Sequence, residues 1–243
     1  METKSINKIA IPLTKNGNLH DDDWMVAGVP LGDGNFWMYE DPNTKLSLSE
    51  NSMKLSISEF SKSNDQIQIF ENPKHLFLTK NQYKPGDSGQ IGFTCEMKSV
   101  ITGGNPDDYR DGFGSFNVLD FATGMVFDII TNGFKTWIIY ERLFMPAVTT
   151  EKEAFTEVIE VNDFPDSGEF LNCKIIYNKS NDSTEYYCND KLVYKIDTIP
   201  VKVDTLVTGF GFITLHPIEN GKSVSIKGQG AYGTWRNFEY FAM

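Results

Sequence analysis

The chain has 243 residues, 40% of them hydrophobic, and 33 acidic against 22 basic side chains give a formal net charge of -11. That length and apolar content suit one large domain, 1–243, with no linker-like change of composition along it. The acidic balance and the lack of any Lys/Arg stripe exclude nucleic-acid binding and docking on an anionic membrane surface.

Other features narrow the class further. No apolar run approaches the ~20 residues of a membrane span, and Ile9-Ala10-Ile11-Pro12-Leu13 is too short and interrupted for a leader's apolar centre. Cys95, Cys173 and Cys188 are odd in number and lack metal-like or redox spacing, so they read as reduced structural thiols in a cytoplasmic protein.

In chain order, residues 1–35 are polar and turn-rich, with the acidic run Asp21-Asp22-Asp23, and read as an arm or edge lying across the domain. Phe36–Tyr39 reads as a strand stopped by Asp41-Pro42-Asn43. Leu46/Leu48 and Met53/Leu55/Ile57 alternate with polar residues, as in half-buried strands. Phe70–Leu78 reads as a short helical or irregular connection. From Gln90 the pattern turns strongly β, with Ile91, Phe93 and Cys95 alternating against Gly92, Thr94 and Glu96.

The stretch Gly112–Leu143 follows: Phe113–Phe121, a Thr123-Gly124 turn, Val126–Ile130, an Asn132-Gly133 turn and Phe134–Arg142. Asn-Gly between apolar runs is a strong hairpin signal, because both central residues of a type I′ turn need positive φ. With two-residue turns, Phe116, Val118, Phe127, Ile129 and Ile138 share one face, a core. Asn117, Asp128, Trp137 and Glu141 share the other, with Val126 and Ile139 among them, and Asp128 lies opposite Trp137. Strands Phe155–Val161, Phe170–Tyr177, Thr184–Cys188, Lys191–Tyr194, Val207–His216, Val224–Gly228 and Thr234–Phe241 complete the chain, with Asn189-Asp190 as another two-residue turn. Many short strands without a long helical period predict an all-β, two-sheet antiparallel sandwich.

The hairpin Phe170–Tyr177 and Thr184–Val193, the later Ile199-Pro200, the entering strand Gly89–Lys98 and the closing strand Tyr232–Phe241 resemble those of concanavalin A-like jelly rolls. The resemblance is to laminarinase- and β-glucanase-type glycoside hydrolases in particular, and it spans roughly residues 85–241. It implies a jelly roll with a ligand groove on its concave sheet. It also implies a Glu-x-Asp-x-x-Glu strand there, where this chain has Val126-Phe127-Asp128-Ile129-Ile130-Thr131. Val126 and Thr131 stand where the two glutamates are expected, and a retaining glycosidase needs two carboxyl groups ~5 Å apart.

The candidate site is therefore Asn117, Asp128, Trp137 and Glu141, with Tyr140, Arg142 and His216 as further ligand contacts. A carboxyl group beside an indole in an apolar groove acquires a raised pKa suited to acid/base work; otherwise Asp128 pairs with a polar neighbour or Lys135. Arg142 and, less so, Arg110 are either carboxylate clamps or sheet-end ion pairs. His216 is either a proton carrier or a structural rim residue. Of the four tryptophans, Trp37 and Trp235 read as core, while Trp137 and Trp24 are stacking candidates.

Ser115 lacks a strand-to-helix elbow. Gly228-Gln229-Gly230-Ala231-Tyr232-Gly233 matches G-x-G-x-x-G but leads into a strand. Neither a cofactor nor a metal is expected. The leading expectation is non-hydrolytic binding of a small molecule or glycan. Behind it stand acid/base catalysis in the same groove by Asp128 or Glu141 (a cyclase, isomerase or lyase) and, third, a divergent glycoside hydrolase.

Overall fold

The computed structural model describes residues 7–32, 34–145, 147–162 and 169–243. The early strands are β1 (Ile9–Ala10), β2 (Thr14–Lys15), β3 (Asn18–Leu19), β4 (Trp24–Val26), β5 (Gly28–Gly32), β6 (Asn35–Met38), β7 (Thr44–Ser49) and β8 (Ser52–Ile57). A single helical turn, α1 (Gln68–Glu71), precedes β9 (Pro73–Thr79), β10 (Gln90–Thr102), β11 (Phe113–Asp120), β12 (Met125–Thr131), β13 (Thr136–Arg142) and β14 (Phe155–Val161). The chain closes with β15 (Leu171–Asn178), β16 (Ser183–Cys188), β17 (Lys191–Ile196), β18 (Val207–Ile213) and β19 (Gly230–Ala242).

Two antiparallel sheets form the sandwich. One runs β17-β16-β15-β10-β19-β8-β7, with β1 added beside β19; the other runs β14-β13-β12-β11-β18-β9-β4. Period-two alternation sends Phe116, Val118, Phe127, Ile129 and Ile138, all fully buried, into the core between the sheets, where they meet Phe93, Cys95, Ile175 and Trp235. The residues of β9, β11 and β12 that face away from this core are also buried. Leu76, Leu78, Leu119, Val126, Ile130, Trp137, Ile139 and Val207 form a second apolar cluster on the outer face of the seven-stranded sheet. β9, β11 and β12 are buried at every position, so they lack the exposed polar face of a half-solvated strand.

Several expectations are corrected. The segment Phe70–Leu78 is mostly strand, because β9 is inserted between β18 and β4 and carries no alternation. Val224–Gly228 is not a strand; Lys227 N–H is instead held by the Gln229 side chain at 2.6 Å. β1 and β4 each join a sheet, and Trp24, 1% exposed, packs edge-on against Phe210 and Phe238, which removes it as a stacking platform. In the G-x-G-x-x-G stretch, a Cβ at Gly230 would lie 2.4 Å from Ser58 O, so close backbone packing accounts for that glycine.

The two turns of the meander also differ from expectation. Asp120 pairs with Met125 and Thr131 with Thr136, which leaves four-residue connections in place of two. Asn132 Oδ1 accepts from both Phe134 N–H and Lys135 N–H at 2.9 Å, an Asx-type turn, and only Gly133 of the central pair has positive φ (93°). Partners therefore shift by two residues, which preserves every side chain's face. Asp128 lies opposite Ile139, and Trp137 opposite Ile130.

Candidate functional site

The outer face of the seven-stranded sheet carries a row Val158–Ile139–Asp128–Asn117–Gly209–Leu78, each residue directly opposite the next. The neighbouring row runs Glu160–Trp137–Ile130–Ser115–Gly211–Leu76. The glycines admit the adjoining strand: a Cβ at Gly209 would meet Leu78 Cδ2 and Phe77 O, both at 2.4 Å. Leu78 thus leans over β18 toward Asn117. The result is a short polar line, Ser115, Asn117 and Asp128, enclosed by aliphatic side chains.

This line is nearly dry, with Ser115 0%, Asn117 3% and Asp128 4% exposed. Ser115 Oγ donates to Asn117 Oδ1 at 2.8 Å. The Asn117 side chain in turn hydrogen-bonds the Asp128 carboxyl, but Asp128 Oδ1 has no hydrogen-bond partner among the described residues. Burial pushes the Asp128 pKa well above the ordinary carboxylate value; Asn117 opposes this, and the negative charge of Glu141 adds to it. Burial thus favours the protonated form of the Asp128 carboxyl, and one of its oxygens is idle. Leaving such a buried group unsatisfied costs about 1–3 kcal/mol.

Glu141 shares this face, opposite Val126 and therefore diagonal to Asp128. Diagonal positions on adjacent strands lie ~7–8 Å apart. Burial raises the Glu141 pKa to about 7, against the pull of Thr156 Oγ1, which donates to it at 2.8 Å. The flanking outward residues on β12 are Val126 and Ile130, both apolar.

The remaining expected contacts do not converge here. Trp137 is on the correct face but 3% exposed, with the Tyr109 ring packed on it at 5.9 Å, so it offers no free platform. Tyr140 and Arg142 alternate to the opposite face from Glu141. Tyr140 stacks on Phe127 in the inter-sheet core and meets Phe155 edge-on, and Arg142 donates through Nε to Thr123 O and pairs with Glu153.

His216 lies past the end of β18. Its Nε2 is 2.5 Å from Asp111 Oδ1 and 2.9 Å from Lys227 Nζ. Asp108, Asp111 and His216 have the donor types of a cation site. The Lys227 ammonium already meets Asp111 at 2.8 Å, and Arg110 meets Asp108 at 2.8 Å, so this cluster has its countercharges. Burial opposes ionisation of Asp111, yet hydrogen bonds from Lys227, the Asn105 N–H and His216 hold its pKa down to about 2.

The aliphatic enclosure from Leu76, Leu78, Leu119 and Val207 was not singled out from the sequence. Its members are scattered through apolar stretches such as Leu76-Phe77-Leu78, each of which reads locally as ordinary core. The edges of the same sheet also bear exposed apolar side chains: Met25 on β4, Phe121 and Phe134 in the meander turns, and Phe144 after β13.

Solved structures with this fold include a Bacillus licheniformis β-glucanase (14% identity, 99% of this chain and 100% of that chain, TM-score 0.54). An endo-1,3-β-glucanase from Streptomyces sioyaensis superposes with TM-score 0.56 at 9% identity, covering 93% and 91% of the two chains. A β-1,3-1,4-glucanase (lichenase) from a mouse hindgut metagenome gives 0.55 at 13% identity, covering 97% and 98%. These likenesses establish the concanavalin A-like jelly roll as the fold. No curated protein matches the chain in sequence. The model of a family of unknown function, DUF6081, matches residues 18–241.

Proposed function

The chain belongs to DUF6081, and from that premise we propose that it is a non-hydrolytic ligand-binding jelly roll. Its ligand is a small molecule with a largely apolar body and one polar group, held on the outer face of the seven-stranded sheet. The observation that carries this reading is Asp128: a buried carboxyl group with an idle Oδ1 among aliphatic side chains. A mostly apolar lining with a few placed hydrogen-bonding groups is the usual make-up of a small-ligand site. A glycan, by contrast, needs many polar partners and a free aromatic face.

Thermal shift and calorimetry against small hydrophobic alcohols, ketones and amides, with β-glucan oligosaccharides in parallel, test this reading. A true ligand at 100 times its Kd stabilises the protein by about 2.7 kcal/mol, and Asp128→Asn removes most of that gain. Binding confined to β-glucans, or release of reducing ends, overturns the reading.

A second reading, proton-transfer catalysis on the same face, is favoured by the pairing of Asp128 with Glu141 at about 7. Carboxyl groups whose environments separate their pKa values divide acid from base roles. In that case Glu141→Gln abolishes turnover while ligand affinity stays nearly unchanged.

A further inference from the structure

We propose that a separate cleft at the β4 edge of the sandwich binds a neutral, hydroxyl-rich ligand of about one sugar residue. The cleft, about 360 Å³, is lined by Asp23, Asn81, Gln82, Tyr83 and Tyr240, with Ile9 among its aliphatic wall. It forms where β1 pairs with β19, placing Ile9 directly opposite Tyr240, and where Tyr83 forms a backbone bridge to Leu206. The Tyr83 and Tyr240 rings meet at 4.5 Å. β4 is four strands from β12 in the sheet order, ~19 Å at ordinary strand spacing, so this cleft is distinct from the Asp128 face.

Its chemistry points to neutral hydroxyl groups. Asp23 is fixed, accepting from Asn81 Nδ2 at 3.0 Å and facing His20 Nδ1 at 3.1 Å. Its Oδ1 is thus engaged by a neutral amide, and it offers a ligand a hydrogen-bond acceptor on the cleft wall. Gln82, Tyr83 and Tyr240 line the same cleft and bring an amide and two phenols beside an aliphatic wall. That mixture of a carboxylate, amides and phenols with C–H-packing surface matches a saccharide unit. An anion is disfavoured by Asp23, and a choline control separates an organic cation from a neutral saccharide.

Saturation-transfer NMR with methyl glycosides as probes tests the proposal, with choline as the cationic control. The wild-type protein transfers saturation to at least one methyl glycoside. Gln82→Ala, an exposed position that folding tolerates, and Tyr83→Phe, which keeps the ring, together weaken that binding by about fivefold or more. Asp128→Asn leaves it unchanged, which separates this cleft from the outer-face site. Absence of transfer to every glycoside, preference for choline, indifference to the double variant, or loss in Asp128→Asn would each overturn it.

Discussion

Asp128 and His75 are both buried and titratable, and they leave opposite marks on stability. His75 is 3% exposed; its Nδ1 faces Thr44 Oγ1 at 3.1 Å, while Nε2 has no partner among the described residues. Burial lowers its pKa from 6.5 to about 4. Between those values the unfolded chain binds the extra proton, so stability from this residue is lost as pH falls through that window, by at most about 3 kcal/mol. Imidazole ¹⁵N shifts should show neutral His75 down to about pH 4.

For Asp128 the sign reverses. The native state keeps a proton that the unfolded carboxyl releases above about pH 4, so its contribution falls as pH rises. Urea midpoints should therefore favour Asp128→Asn over wild type more at about pH 8 than at about pH 5. A pH-independent difference would argue against the raised pKa.

At the scale of elements, two Asn-led turns behaved differently for a physical reason. Asn189 and Asp190 both have positive φ (49° and 62°) between the paired Cys188 and Lys191, the two-residue turn read from the sequence. Asn132 instead spends its side chain on Phe134 N–H, Lys135 N–H and Pro106 O, which stabilises a four-residue loop. Local residue type marked both turns, but long-range anchoring to Pro106 decided their length. Asn132→Ala should cost about 2–3 kcal/mol through three lost hydrogen bonds, and Asp190→Gly should gain about 1 kcal/mol by relieving a left-handed residue. Chemical denaturation measures both. The faces of the meander were readable even so, because a shift of two residues preserves parity. β9 was not readable, since burial on both sides erases the alternation by which strands are recognised.

For the whole molecule, composition and strand density were enough to indicate a two-sheet sandwich. They left residues 1–35 between an arm and an edge, because joining a sheet edge depends on strands far away in sequence. Trp24 makes the difference measurable: on a surface arm its removal would be nearly neutral, but in this fold Trp24→Ala should cost about 3–5 kcal/mol. The second apolar cluster was equally hidden, for each of its members reads locally as ordinary core. It is this cluster that surrounds the buried Asp128 carboxyl with aliphatic side chains.

The most direct measurement is the ionisation of Asp128 in the folded protein, followed through its side-chain carboxyl ¹³C shift and assigned with Asp128→Asn. The account predicts a protonated carboxyl group at neutral pH that changes its environment when a small apolar ligand bearing a polar group is added. An ordinary titration near pH 4, unmoved by any such ligand, would contradict it.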